Sequence, residues 1–289
     1  MTKRVRKAVL PVAGLGTRVL PGAKTTPKNM LNVVDRPILS YIVDEARAAG
    51  IEHFVFIVGR GQNAIEDYFD AAPEIEQALE TKGKTAILED VRRDLPQPGQ
   101  MSFVRQMAPH GLGHAVWCAR DVIGDEPFAV ILPDMLMAAE RPALAQAVDA
   151  YEKVGGNIVV VEPAPEGEAH KYGIVALEAQ NGRLNRMTGM VEKPAPGTEP
   201  SNLFISGRYI LQPEIFQILE TQERGAGGEI QLTDGMAALM RRQDFHALEY
   251  DGTTYDCGDK LGLLRANVAF ALRRPDLADA ARKAISELL

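Results

Sequence analysis

An apolar run at residues 7–13 (KAVLPVA) empties directly into a glycine loop, Gly14-Leu15-Gly16-Thr17-Arg18. A short run that is apolar on both alternating faces has the character of a strand buried on both sides. Glycines just after such a strand let the backbone turn tightly and bring its N–H groups close to a ligand. The same alternation then repeats. A helix is predicted over 38–49, with Leu39, Ile42, Val43 and Ala46 on one face and Gly50 as its stop. Strand 54–58 (FVFIV) and a helix over 64–69 follow. Strand 101–106, helix 113–122, strand 128–132 (FAVIL), helix 144–154 and strand 157–161 come next. Strands separated by helices predict a parallel sheet covered on both faces.

Two stretches depart from that rhythm. Residues 70–100 are charged, predicted helical, and read as an insertion with a loop at Pro96, Pro98 and Gly99. Beyond 160, runs at 173–177, 183–192 and 203–211 are separated by turn residues, as antiparallel strands are. Helices are expected over 213–220 and 230–241, a strand over 245–250, and a helix over 261–273 with Leu261, Leu264, Val268 and Leu272 in line. The fold class predicted is α/β: a Rossmann-like, three-layer arrangement around a mixed, mainly parallel sheet, with a smaller antiparallel subdomain.

Charge narrows the partners. Over 289 residues the formal net charge is −7. Neither nucleic acid nor an anionic membrane rewards such a balance, so neither is expected as a partner. The basic start, Lys3 to Lys7, precedes an apolar stretch broken by Pro11 and Gly14, unlike a signal peptide. Cys118 and Cys257 lack a Cys-x-x-Cys partner and read as reduced thiols of a cytoplasmic protein.

Several constellations carry chemistry. The glycine loop is neither a dinucleotide fingerprint, because Val19 stands where a third glycine belongs, nor a P-loop, because Gly22-Ala23-Lys24-Thr25 has an extra residue before its lysine. Arg18, Lys24 and Lys28 nevertheless put three cations on a proline-shaped loop, which suits either a polyphosphate or a plain, solvated basic β-to-α turn. Leu132-Pro133-Asp134 ends an apolar strand, where α/β sheets bind ligands. Asp134 there suits either Mg²⁺ held against phosphates or a helix N-cap. Asp256, in Tyr255-Asp256-Cys257-Gly258-Asp259-Lys260, suits either a second metal oxygen or a capping motif. Glu192 and Lys193 are adjacent, so a regular strand points them to opposite faces; both meet one ligand only if the chain bends before Pro194. His110 and His114 are interrupted by Gly111 and Gly113 and have no third ligand, so they read as a tight loop and helix start rather than a zinc site.

Taken in order, these motifs resemble the sugar-1-phosphate nucleotidylyltransferases. The resemblance runs through Ala13-Gly14-Leu15-Gly16-Thr17-Arg18, Pro27-Lys28-x-Met30-Leu31, Gln106 with Gly111-Leu112-Gly113-His114, and Leu132-Pro133-Asp134. It continues through Lys171-Tyr172-Gly173, Glu192-Lys193-Pro194, Gly228-Glu229-Ile230-Gln231-Leu232-Thr233-Asp234 and Asp256-Cys257-Gly258-x-Lys260. Its finer match is to members acting on UTP and glucose 1-phosphate. The resemblance implies a nucleotide-diphospho-sugar transferase fold over 1–289, with a nucleotide part mainly 1–160, a sugar part mainly 160–260 and C-terminal helices over 261–289. It implies attack of the sugar phosphate on the α-phosphorus of UTP, with Mg²⁺ as cofactor. The implied nucleotide contacts are Ala13, Gly14, Gly16, Thr17, Gln106 and Gly111, the last two reading uracil. Arg18, Lys28, Asp134 and Lys193 are the implied catalytic residues, and Asp134 and Asp256 the metal ligands. Gly173, Glu192 and Lys193 are implied to hold the sugar phosphate, and a homo-oligomer, dimer or tetramer, is implied as well. Rival expectations are the same chemistry with another base or sugar, and a silent nucleotide-sugar-binding regulator. One departure stands out: Asn29 replaces the glutamate that usually follows the Pro-Lys pair.

Overall fold

The computed structural model describes residues 2–288; Met1 and Leu289, the ends of the range expected to form one domain, lie outside the described residues. Strand β1 (Lys7–Pro11) leads through the glycine loop and short 3-10 turns into a small hairpin, β2 (Asn32–Val33) and β3 (Arg36–Pro37), and then α1 (Ile38–Ala48). Next come β4 (His53–Val58), α2 (Asn63–Tyr68), α3 (Pro73–Thr81), α4 (Thr85–Arg92) and β5 (Met101–Arg105). The expected helix over 113–122 is two pieces, α5 (Leu112–Trp117) and α6 (Arg120–Ile123). Then follow β6 (Phe128–Ile131), β7 (Met135–Ala138), α7 (Ala143–Val154), β8 (Asn157–Pro163), β9 (Gly173–Leu177), β10 (Leu184–Glu192) and β11 (Leu203–Leu211). The chain closes with α8 (Ile215–Thr221), α9 (Leu232–Leu239), β12 (Phe245–Glu249), β13 (Thr253–Asp256), α10 (Lys260–Arg273) and α11 (Ala278–Leu288).

One nine-stranded sheet runs β5-β4-β1-β6-β11-β8-β12-β10-β9. Strands β5, β4, β1 and β6 are parallel, as the alternation predicts. The remainder corrects the expected mainly parallel sheet. Strand β11 is antiparallel to both β6 and β8, β10 is antiparallel to β12 and β9, and only β8–β12 is parallel. The antiparallel strands therefore extend the same sheet. The reason is visible in β11: it is buried along its whole length, so it fills the middle of the sheet, between β6 and β8. Strand β10, by contrast, alternates between buried and exposed, as a strand with one wet face does.

Helix α1 buries the predicted face, Leu39, Ile42, Val43 and Ala46, into the core on one side of the sheet. A second core, including Val116, Ile123, Phe216 and Met236, lies on the other side. The 70–100 insertion is pinned by buried Asp94, which accepts hydrogen bonds from Arg36 (3.0 Å), Ser40 (2.5 Å) and Tyr68 (2.5 Å). Helix α10 turns away from its expected face. Leu261 and Leu264 are 58% and 60% exposed, while Leu263, Ala266 and Phe270 face the core. No helix among the described residues is long and apolar enough to cross a membrane.

Candidate active site

The parallel strands end on one side, and their loops frame a cleft of about 420 Å³. Ala13, Gly14, Gly16, Thr17, Gln106, Gly111, Lys28 and Asp134 all line it, so the expected nucleotide contacts come together. It forms where the chain passes from β1 to β4 on one side and to β6 on the other, the switch point at which α/β sheets open a crevice. Gly16 is needed there: its φ is +64°, and a Cβ on it would come 2.9 Å from the Lys28 Cβ. Lys24 ends a 3-10 turn and makes no ion pair among the described residues. A larger groove, about 1170 Å³, lies beside β7, β13 and α10 and contains none of the expected site residues.

Two cations and two carboxylates meet at the mouth. Lys28 Nζ lies 2.6 Å from Asp134 Oδ2. Arg18 reaches Asp256 at 2.9 Å and Asp134 at 3.8 Å. Burial pushes the Asp134 carboxyl up, but Lys28 and Arg18 outweigh it and hold the group below the ordinary carboxylate value. Arg18 is held above its ordinary value: burial opposes its charge, and Asp256 overcomes that.

The two carboxylates are brought together by a pairing that the sequence pattern does not reveal. Strand β7 begins just after Asp134, β13 ends at Asp256, and the two are antiparallel with Met135 opposite Asp256. The Cys257 N–H bonds the Asp134 carbonyl at 2.8 Å. Asp134 caps no helix. The cap of α10 is Asp259, whose side chain accepts from the Gly262 N–H at 2.8 Å. Gly258 makes room between the acids: a Cβ there would run into Arg18 Nη2 and lie 2.7 Å from Asp256 Oδ1 and 2.9 Å from Asp134 Oδ2, so the guanidinium sits between the two carboxylates. Two carboxylates facing one small space, beside the glycine loop, offer the hard oxygen donors that suit Mg²⁺.

Arg208 had no signal in the sequence beyond a lone charge in an apolar strand. It is fully buried, paired with Glu45 at 2.7 Å, and donates to the carbonyls of Leu132 (3.0 Å) and Met135 (2.8 Å). Those carbonyls bracket Pro133-Asp134, so the guanidinium clamps the turn that presents Asp134. Asn29, which follows the Pro27-Lys28 pair, is also fully buried; its amide reaches the Val12 carbonyl at 3.5 Å and its oxygen has no hydrogen-bond partner among the described residues. Cys118 and Cys257 are both free thiols. Burial, then the adjoining carboxylates, push the Cys257 thiol up to about 12, so it stays protonated beside the site.

At the end of β10, Glu192 and Lys193 do share a face. Lys193 adopts φ +46°, in the left-handed region, and its N–H bonds the Tyr172 carbonyl at 3.0 Å. The strand's alternation is broken at that residue, and Lys193 Nζ comes within 3.7 Å of Glu192 Oε1. Glu192 Oε2 accepts from the Thr233 hydroxyl at 2.8 Å. Gly173, paired with Glu192 across β9 and β10, leaves room for both, since a Cβ there would stand 3.0 Å from that oxygen. Thr233 lies in the 228–234 stretch, whose residue types do not reveal that it meets Glu192.

Comparison with known proteins follows the same outline. The family described as Nucleotidyl transferase matches residues 7–271. The UTP–glucose-1-phosphate uridylyltransferase of Bacillus subtilis is 50% identical over 277 residues, covering 96% of this chain and 94% of its own. A structure described as UTP-bound UGPase from Acinetobacter baumannii superposes with a TM-score of 0.92 at 40% identity, covering 99% of this chain and 100% of that one. A UDP-glucose pyrophosphorylase complexed with UDP-glucose gives 0.83 at 38% identity, over 93% of this chain and 100% of that one.

Proposed function

The chain belongs to the nucleotidyl transferase family, and from that premise we propose that it transfers the uridylyl group of UTP to glucose 1-phosphate, releasing pyrophosphate. One observation carries the reading to this chain's own residues. Arg18, Lys28, Asp134 and Asp256 converge at the mouth of a cleft that also presents Gln106 and Gly111. A phosphate oxygen of glucose 1-phosphate attacks the α-phosphorus of UTP. The new P–O bond forms as the bond to the bridging oxygen breaks, and pyrophosphate leaves in line. The substrate carries the nucleophile, so the protein's work is positioning and charge neutralisation.

Ala13, Gly14, Gly16 and Thr17 place backbone against ribose and phosphates. Arg18 and Lys28 draw off the charge that grows on the leaving pyrophosphate. Gly173 and Glu192 hold the glucose hydroxyls, and Lys193 offsets the charge of the sugar phosphate as it nears the nucleotide. Asp134 and Asp256 would hold Mg²⁺, which when bound neutralises phosphate oxygens. On this reading the nucleotide contacts fall mainly in 1–160 and the sugar contacts mainly in 160–260, with C-terminal helices over 261–289. The exposed Leu261 and Leu264 support a homo-oligomer, a dimer or tetramer, built in part on α10. Two free thiols fit a reducing, cytoplasmic setting.

The test is pyrophosphate release from glucose 1-phosphate with UTP, CTP, ATP, GTP or dTTP, with and without Mg²⁺. Turnover led by UTP and abolished by a chelator is the expected result. Turnover led by dTTP would move the base assignment. UDP-glucose binding with no turnover would make the chain a regulator.

A further inference from the structure

Gln106 is only 8% exposed, and both protons of its amide are already engaged. Its Nε2 lies 3.1 Å from the Gly111 carbonyl and 3.1 Å from His114 Nδ1. A carbonyl can only accept, so the amide nitrogen, not its oxygen, must face Gly111. His114 Nδ1 must then accept the other amide proton, which leaves the ring neutral with its own proton on Nε2. The Cys118 thiol, 3.8 Å from the same Nδ1, approaches as a second, weak donor. What remains of Gln106 for a ligand is Oε1, which no described residue hydrogen-bonds, in a side chain that lines the cleft. An acceptor suits the N3–H of uracil. Cytosine has a lone pair at N3, and two acceptors repel.

We propose that His114 is a positioning residue for base selection: its neutral ring, accepting at Nδ1, keeps the Gln106 oxygen turned toward the base, and a proton at Nδ1 breaks that hold and weakens uracil recognition. The proposal rests on reading the cleft as the uridine site. It makes base choice depend on a ring that does not line the cleft.

The surroundings favour the neutral ring. His110 stands edge-on at 5.1 Å, with Arg224 3.2 Å from the His110 Nδ1. Trp117 lies 5.7 Å away and carries Arg120 on its face at 3.7 Å. Glu229, on the loop packed against Gly111, takes a hydrogen bond from Gln231. Burial first, then His110, Arg120 and Arg224, oppose a charge on His114 and hold it below the ordinary histidine value. Uracil recognition is therefore complete at neutral pH and is lost only on acidification.

The probes are UDP-glucose and CDP-glucose, whose diphosphates keep a constant charge across the range. Their affinities are measured by calorimetry from about pH 8 to about pH 5. For the unmodified protein, UDP-glucose affinity should fall roughly ten-fold on acidification, the equivalent of about one lost hydrogen bond, while CDP-glucose affinity does not fall. His114→Asn puts an untitratable amide oxygen near the Nδ1 position. It should keep the neutral-pH affinity within about three-fold and flatten the pH profile. His114→Leu should raise the KM for UTP by roughly ten-fold with kcat little changed, and should narrow the preference for UDP-glucose. An unchanged acid slope in His114→Asn, or an unchanged preference in His114→Leu, overturns the role of His114. If Gln106→Leu leaves UDP-glucose affinity untouched, the uridine reading itself fails.

Discussion

Two carboxylates face each other across the mouth of the cleft, and they are held in opposite ways. Asp134 stands on a turn gripped from below by fully buried Arg208, which bonds the carbonyls on either side of it and is anchored to Glu45. Glu45 in turn accepts from the Leu144 N–H at 3.0 Å, which ties α1 to α7 beneath the site. Asp256 stands at the end of a short outer strand, steadied by its own turn, where the Gly258 N–H bonds Oδ1 at 2.8 Å, and by Arg18, whose side chain is 58% exposed. The same chemical group is thus fixed by the core on one side and by the surface on the other. A position fixed by the core is set at folding, whereas one fixed by an exposed ion pair adjusts to what arrives.

The largest expected effect would come from cutting the buried anchor. Arg208→Met leaves Glu45 buried without a partner and should lower stability by ~3–5 kcal/mol in urea unfolding. Adding Glu45→Leu should return much of that loss, because the orphaned charge goes with it. Asp256→Asn should cost under ~1 kcal/mol of stability, as an exposed ion pair does. If Asp256→Asn destabilised the protein as much as Arg208→Met, the contrast between the two supports would be wrong.

Turnover gives the next step down. Asp134→Asn should cut kcat by at least ~10²-fold with the unfolding midpoint close to that of the parent. Arg18→Ala should cost roughly ten-fold, less than Lys28→Ala, because its guanidinium works in a wetter place. Equal losses would mean that exposure does not grade these cations. The smallest effect is on the sugar side: Thr233→Val removes the hydrogen bond to Glu192 and should raise the KM for glucose 1-phosphate several-fold, about 1 kcal/mol, with kcat nearly unchanged.

The same contrast marks what a sequence can reveal. The strand–loop–helix rhythm and the glycine loop are local, so β1, α1, β4 and β6 fall close to where periodicity predicts them. Asp134 at a strand end is legible for the same reason. The β7–β13 pairing joins segments more than a hundred residues apart, and neither strand is long enough to show a period. Arg208 looks like a defect in an apolar strand until Glu45 and the turn carbonyls are placed around it. Periodicity puts Leu261 and Leu264 in line along α10 but does not say what that line packs against, and both face outward. Lys193 turns to the same side as Glu192 through a left-handed φ that residue type does not announce. The two engaged protons of Gln106 depend on a helix start folding back onto a strand end.

The pairing of Lys28 with Asp134 and of Arg18 with Asp256 has a consequence for selectivity among anions. A bare phosphate entering the mouth must take a cation from an acid that already neutralises it, and it leaves that acid bare. The exchange gains little. A polyphosphate that arrives with its own divalent cation offers a partner to every group it separates: anions for the lysine and arginine, a metal for the aspartates. On the proposed function the mouth would therefore act as a double-exchange lock, indifferent to the free phosphate of its surroundings and open to a metal–nucleotide complex.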